Sequence, residues 1–181
     1  MKKSNLTTRI ILWAVVLIWF PALFFYTTSQ PNTGEYSDVE IKALVQGYSA
    51  RTLPAKSSSI TSSELIVTDE NDKKISYKLP KDEFFVSIAP YIHTTHPCAI
   101  HSLSGCQGEM VQEEFELQIS DTKGNLIVEK TVTTPENGFI DLWLPRNASY
   151  EVIITQGERQ ATSKISTYHG DNTCITTMQL I

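Results

Sequence analysis

Between Met1 and His93 the chain has no cysteine, no histidine and no methionine. A cysteine-anchored lipoprotein is therefore excluded, because the N-terminal apolar segment has no thiol to acylate. No C-x-x-C occurs anywhere, which argues against a thioredoxin-type redox centre. Lys and Arg form no stripe and the net charge is a modest −5, so nucleic acid is not an expected partner. There is no glycine-rich phosphate loop and no internal repeat. Asp141, His101 and Ser104 can be assembled on paper into a triad, but nothing resembles G-x-S-x-G or a nucleophile elbow.

What the chain does have is confined to two places. His93–Met110 (HTTHPCAIHSLSGCQGEM) holds His93, His96, His101, Cys98, Cys106 and Met110, and the tail holds His169, Cys174 and Met178. Cysteine and methionine used as core filler would be scattered. Concentrated soft donors point to a metal, and their softness favours Cu(I) or zinc over calcium or magnesium.

The N-terminus reads as an export element. Lys2, Lys3 and Arg9 precede an apolar run from Ile10 to Tyr26 broken by Pro21, and a basic flank followed by an apolar stretch keeps the N-terminus inside while the rest is exported. The run is long for a signal h-region and short for a full span of roughly 20 residues. With no A-x-A site, residues 10–26 are expected to be retained as an inner-membrane anchor rather than cleaved. Everything after Gln30 is then extracytoplasmic, where thiols tend to oxidise. Three cysteines cannot all pair within one chain.

Three regions follow: residues 1–30 as signal or anchor, 31–62 as linker and short amphipathic helix, and 63–181 as a β-sandwich carrying the metal site. Ser37 is a plausible N-cap, Asp38 and Glu40 suit the first turn, and Ile41, Leu44, Val45 and Tyr48 follow the i, i+3, i+4, i+7 pattern. That face needs cover from its own domain or from the same helix of a second chain. Pro54 and Ser57–Ser59 are expected to end the helix as a further linker.

From Glu64 the pattern is that of strands: Leu65–Thr68, Ile75–Leu79, Glu83–Ala89 ended by Pro90, a strand through Phe115, Leu117 and Ile119, then Leu126–Val132, Phe139–Leu144, Tyr150–Thr155, Ala161–Ser166 and Cys174–Leu180. Asp121–Asn125 (DTKGN) and Pro135–Gly138 (PENG) read as turns. Short strands with turns every eight to twelve residues place the fold in the mainly β class, as an antiparallel β-sandwich. The pattern D-x-x-G-N…NGFIDLWLPRNASYEV resembles transthyretin-like and carboxypeptidase-regulatory-like sandwiches.

Cys98, Cys106 and Cys174 are the candidate thiolate ligands, with His96 and His101 as added donors. Cys98-Ala-Ile-His101 lets one loop offer two donors, and Ser102–Gly105 permits a tight fold-back to Cys106. Met178 is expected in the core, Met110 is open between core and site, and His169 reads as a surface residue. Glu109 is placed to orient a histidine, and Glu113, Glu114 and Glu116 read as a solvated face. Three extracytoplasmic thiols also allow disulfide exchange or metal reduction. The plainer alternative is a structural or adhesive sandwich stapled by one disulfide.

The stretches Thr95–Met110 (THPCAIHSLSGCQGEM), Asn137–Val152 (NGFIDLWLPRNASYEV) and Asp171–Leu180 (DNTCITTMQL) resemble the CueP family, copper-binding proteins of the bacterial cell envelope. The resemblance implies copper handling or copper resistance in the periplasm. It matches the family's three cysteines to Cys98, Cys106 and Cys174, and implies an N-terminal helical part that mediates homodimerisation. The protein is then expected to bind Cu(I), with zinc as the competing ion. It would sequester the copper or hand it to an acceptor in the envelope, rather than act as an enzyme.

Overall fold

Residues 36–181 are described by a computed structural model. The stretch expected to act as signal or anchor, residues 1–30 with its apolar run 10–26, lies outside them. Among the described residues no helix is long and apolar enough to cross a membrane.

Helix α1 spans Asp38–Ser49. Ser37 caps it with a reciprocal box: the Glu40 N–H donates to the Ser37 hydroxyl at 3.4 Å and the Ser37 N–H donates to the Glu40 carboxylate at 2.8 Å. The Ser37 hydroxyl also donates to that carboxylate at 2.7 Å, and this bond foremost, with the one from the Ser37 N–H, holds the Glu40 carboxyl below its ordinary range. The apolar face is covered by its own chain. Ile41 and Val45 are buried with Ile60, Leu65, Val67, Leu79, Phe85 and Leu103, and Leu44 and Tyr48 pack at the margin.

Under the helix lies a sheet of β1 (Ser57–Ile60), β2 (Glu64–Thr68), β3 (Lys74–Lys78) and β5 (His101–Ser102), in the order β3-β2-β1-β5. The expected linker at Ser57–Ser59 is thus a strand. Its serines look loop-forming by composition, but Ser58 and Ile60 alternate inward, at 1% and 0% exposure. The strand is paired on both sides, to β2 and to β5. Small hydroxyl side chains fit where neighbouring elements approach closely.

The other two sheets face each other across the main core. One is β10-β9-β6-β7, built from β6 (Glu114–Asp121), β7 (Leu126–Thr133), β9 (Ser149–Gln156) and β10 (Arg159–Ser166). Phe115, Leu117 and Ile119 point inward from β6 and Val152 and Ile154 from β9, the period-2 pattern of a sheet with one wet face. The other is β11-β4-β8, from β4 (Glu83–Tyr91), β8 (Ile140–Pro145) and β11 (Cys174–Gln179). β4 is antiparallel to β8 and parallel to β11, and among the described residues every other ladder is antiparallel.

β4 is the spine. Its interior is buried on both faces: Phe84, Val86 and Ile88 enter the main core, while Phe85 joins the helix-side cluster and Ala89 the site cluster. This explains its unbroken apolar run. Pro90, expected to end the strand, lies inside it. β8 pairs only as far as Ile88, so no ladder bond on that side depends on the missing N–H, and on the other side Pro90 stands in register with Met178, just past the shift between Ile175 and Met178.

Candidate metal centre

The donor-rich loop leaves β4 after Tyr91 and is clasped at once. The Glu109 carboxylate accepts from the N–H groups of Ile92 at 2.8 Å, His93 at 2.9 Å and Thr94 at 3.1 Å. These bonds, that of His93 foremost, hold its carboxyl below the ordinary range. Glu109 was expected to orient a histidine ring, but it serves the backbone: three converging N–H groups are a better partner for a carboxylate than an exposed imidazole.

Next the chain is pinned and reversed. β5 holds His101 and Ser102 against Ile60 and Ser59. The Ser102 carbonyl then accepts from Gly105 N–H at 3.3 Å and Cys106 N–H at 2.9 Å, a turn that brings Cys106 back towards Cys98. Leu103, at 0% exposure, plugs this turn into the helix-side cluster.

Cys174 arrives from the far end of the sequence as the first residue of β11. Thr173, just before it, ties four segments together. Its carbonyl accepts from Ser87 N–H on β4 at 2.8 Å and its N–H donates to Ala99 at 3.0 Å. Its buried hydroxyl donates to the Ile60 carbonyl at 2.6 Å and accepts from the His101 N–H at 3.0 Å. Cys174 N–H also reaches Ala99, at 3.3 Å.

The result is one cluster. The donor atoms of His96, Cys98, Cys106 and Cys174 all lie within 4.8 Å of one another. The Cys98 and Cys106 sulfurs are 3.8 Å apart, well beyond an S–S bond of about 2.05 Å, and all three cysteines are free thiols. Cys106 and Cys174 are buried, while His96 and Cys98 are half-buried. The Cys106 thiol is held far below its usual range, chiefly by the hydrogen bond from Cys174, with His101 and His96 adding to it. Cys174 is pushed up by donating that bond and by burial. Cys98 is raised mainly by burial.

His101 stands beside Cys106 but outside the mutual group of four. Its ring is at 0% exposure and neither nitrogen has a hydrogen-bond partner of ordinary geometry. Phe139 walls the site, with ring centroids 4.6 Å from His101 and 6.4 Å from His96, and packs with Cys106 and Cys174. It is positioned from behind: its N–H donates to Asn137 Oδ1 at 3.0 Å, and Asn137 Nδ2 donates to Ser49 Oγ at 3.1 Å at the end of α1. Gly108 and Gly138 meet backbone to backbone, so that a Cβ on Gly108 would stand 2.4 Å from the Gly138 carbonyl oxygen.

Of the other residues singled out in the sequence, His93 and His169 are exposed. Met178 is in the main core as expected, and Met110 joins it there. Asp141 accepts from Ser49 and Ser87, and Ser104 Oγ accepts from Ser58 N–H at 3.0 Å, so these two members of the paper triad are spoken for elsewhere. Thr173 and Phe139 carry no mark in the sequence beyond their neighbours, Cys174 and the Asn137–Gly138 turn.

Thiols and imidazole with no carboxylate in the group suit a soft cation and offer little to calcium or magnesium. A mainly β unit that gathers these donors at its strand ends belongs to the class of soft-metal-binding proteins. Residues 40–179 match the family described as periplasmic copper-binding protein CueP. The chain belongs to that family. The crystal structure of S.CueP is similar at a TM-score of 0.73 and 37% identity, covering 78% of this chain and 88% of that one. No curated protein matches the chain.

Proposed function

We propose that this chain sequesters Cu(I) in the periplasm, with Cys98, Cys106 and Cys174 as the thiolate donors and an imidazole of His96 or His101 completing the site. One observation carries the proposal: folding brings three thiols from two distant stretches of sequence into a single partly closed cluster. Thiolates and imidazole are ligands that Cu(I) prefers. The ion would be stored, or passed to an acceptor in the envelope by ligand exchange, and copper homeostasis would follow from either. Zinc accepts three thiolates and one histidine as well and is the competitor to exclude. Oxidation of Cys98 and Cys106 to a disulfide would supply electrons to convert Cu(II) to Cu(I), one per ion, and release their protons. Retention by an anchor at residues 10–26 and pairing into a homodimer belong to the same proposal.

The test is a thermal shift. A ligand that binds only the folded chain raises its apparent stability. Reduced protein should gain melting temperature with Cu(I) under anaerobic conditions, and zinc should not displace that copper. A disulfide-stapled adhesive sandwich would show no copper-dependent shift and a constant single free thiol.

A further inference from the structure

The cluster has more donors than one low-coordinate Cu(I) ion takes at once, and they are not equivalent. His96 and Cys98 are half-buried on the loop. Cys106, Cys174 and His101 lie deeper, at 8%, 2% and 0% exposure, behind Phe139. Cys106 belongs to both groups: its sulfur is 3.8 Å from that of Cys98, and it neighbours Cys174 and both rings.

The decisive residue is His101. A half-exposed ring such as His96 can satisfy its nitrogens with water. His101 cannot, and both of its nitrogens are buried with no hydrogen bond of ordinary geometry. An orphaned buried polar group is costly, and a metal bond to one nitrogen removes part of that cost. The backbone of His101 is fixed by β5 and by Thr173, so the ring stays in place while the cost stands.

We propose that the centre holds one Cu(I) in two overlapping donor sets that share Cys106. The outer set, His96, Cys98 and Cys106, takes the ion up and releases it; the inner set, Cys106, Cys174 and His101, is where it rests. The inference deepens the copper reading above and rests on it. Moving inward, the bonds from copper to Cys98 sulfur and His96 nitrogen break, and bonds to Cys174 sulfur and His101 nitrogen form. Cys174 gives up its proton and Cys98 takes one. Copper stays Cu(I) throughout, so no oxidant or reductant is needed.

The experiment is X-ray absorption on the full chain loaded with equimolar Cu(I), comparing wild type, His96→Ala and His101→Gln, with transfer to the chelator bathocuproine disulfonate timed for each. Imidazole scattering should persist in His96→Ala, where copper rests on His101, and also in His101→Gln, where the ion falls back on His96. Transfer should slow by about tenfold or more in His96→Ala and accelerate by as much in His101→Gln. Scattering lost in His96→Ala, or a transfer rate unchanged in His101→Gln, overturns the proposal. If His101→Gln fails to fold, ¹⁵N-histidine spectra of the wild type decide: copper must shift the His101 ring, and a shift confined to His96 is fatal. A wild type that takes up no Cu(I) refutes the copper reading itself, whereas copper bound through His96 at rest refutes only the inner set.

Discussion

The His101 N–H donates to the Thr173 hydroxyl at 3.0 Å, a bond that spans 72 positions of sequence and is wholly buried. The same hydroxyl donates to the Ile60 carbonyl at 2.6 Å. One side chain thus fixes the loop that carries three donors, the strand it pairs with, and the segment that delivers Cys174.

Thr173→Val keeps the shape and removes both bonds. It leaves a buried N–H and a buried carbonyl unpaired, at a cost of about 1–3 kcal/mol. Copper affinity should fall by roughly 10–100-fold, as it does when supports of metal ligands are lost. Urea unfolding and Cu(I) competition check the two numbers separately. A variant with normal stability and normal affinity would show that the hydroxyl positions nothing.

The Gly108–Gly138 contact predicts a difference between two glycines that share a backbone conformation. Gly138 has φ +73°, and a Cβ there would lie 2.9 Å from the Gly108 carbonyl oxygen, whereas Gly124, at φ +83°, has nothing within 4 Å. Gly124→Ala should cost about 1–2 kcal/mol from left-handed strain alone. Gly138→Ala should cost more, because a neighbouring backbone must also move, and it should weaken copper binding by shifting Phe139. Equal losses of stability for the two variants contradict the close approach.

The Glu109 clasp gives a pH dependence with a definite sign. Its carboxyl is lowered in the folded chain by the N–H groups of His93, Thr94 and Ile92. Its contribution is therefore present above the unfolded carboxyl pKa and is lost as pH falls through the lower folded value. The difference in melting temperature between wild type and Glu109→Gln should be largest near neutral pH and shrink in acid. A difference that is flat across that range would mean the charge on Glu109 does not matter to the clasp.

The parts of the fold governed by local rules are those legible in the sequence. The Ser37 cap with Glu40, the inward alternation of Phe115, Leu117 and Ile119, and the Asp121–Asn125 turn are set by neighbours a few residues away. The confinement of soft donors to two short stretches was equally plain, whereas their meeting depends on the parallel pairing of β11 with β4. Where tertiary packing decides, the pattern misleads. Ser57–Ser59 has loop composition but is paired on both sides, and Pro90 is harmless because β8 has stopped pairing with β4 before it. Nothing local marks Thr173 or Phe139, because their roles come from partners at Ile60, His101 and the buried thiols. Glu109 illustrates the same limit: its proximity to histidines was plain, but whether it met ring or backbone depended on the path of the loop.

The most direct test of the copper centre is Cu(I) affinity, measured anaerobically by competition with a chelator, for wild type and Cys106→Ser. Cys106 lies at the centre of the cluster: its sulfur is 3.8 Å from that of Cys98 and within 4.8 Å of the donor atoms of Cys174 and His96. Loss of tight binding in a variant that still folds is the predicted result. Undiminished affinity in that variant would contradict a shared thiolate centre.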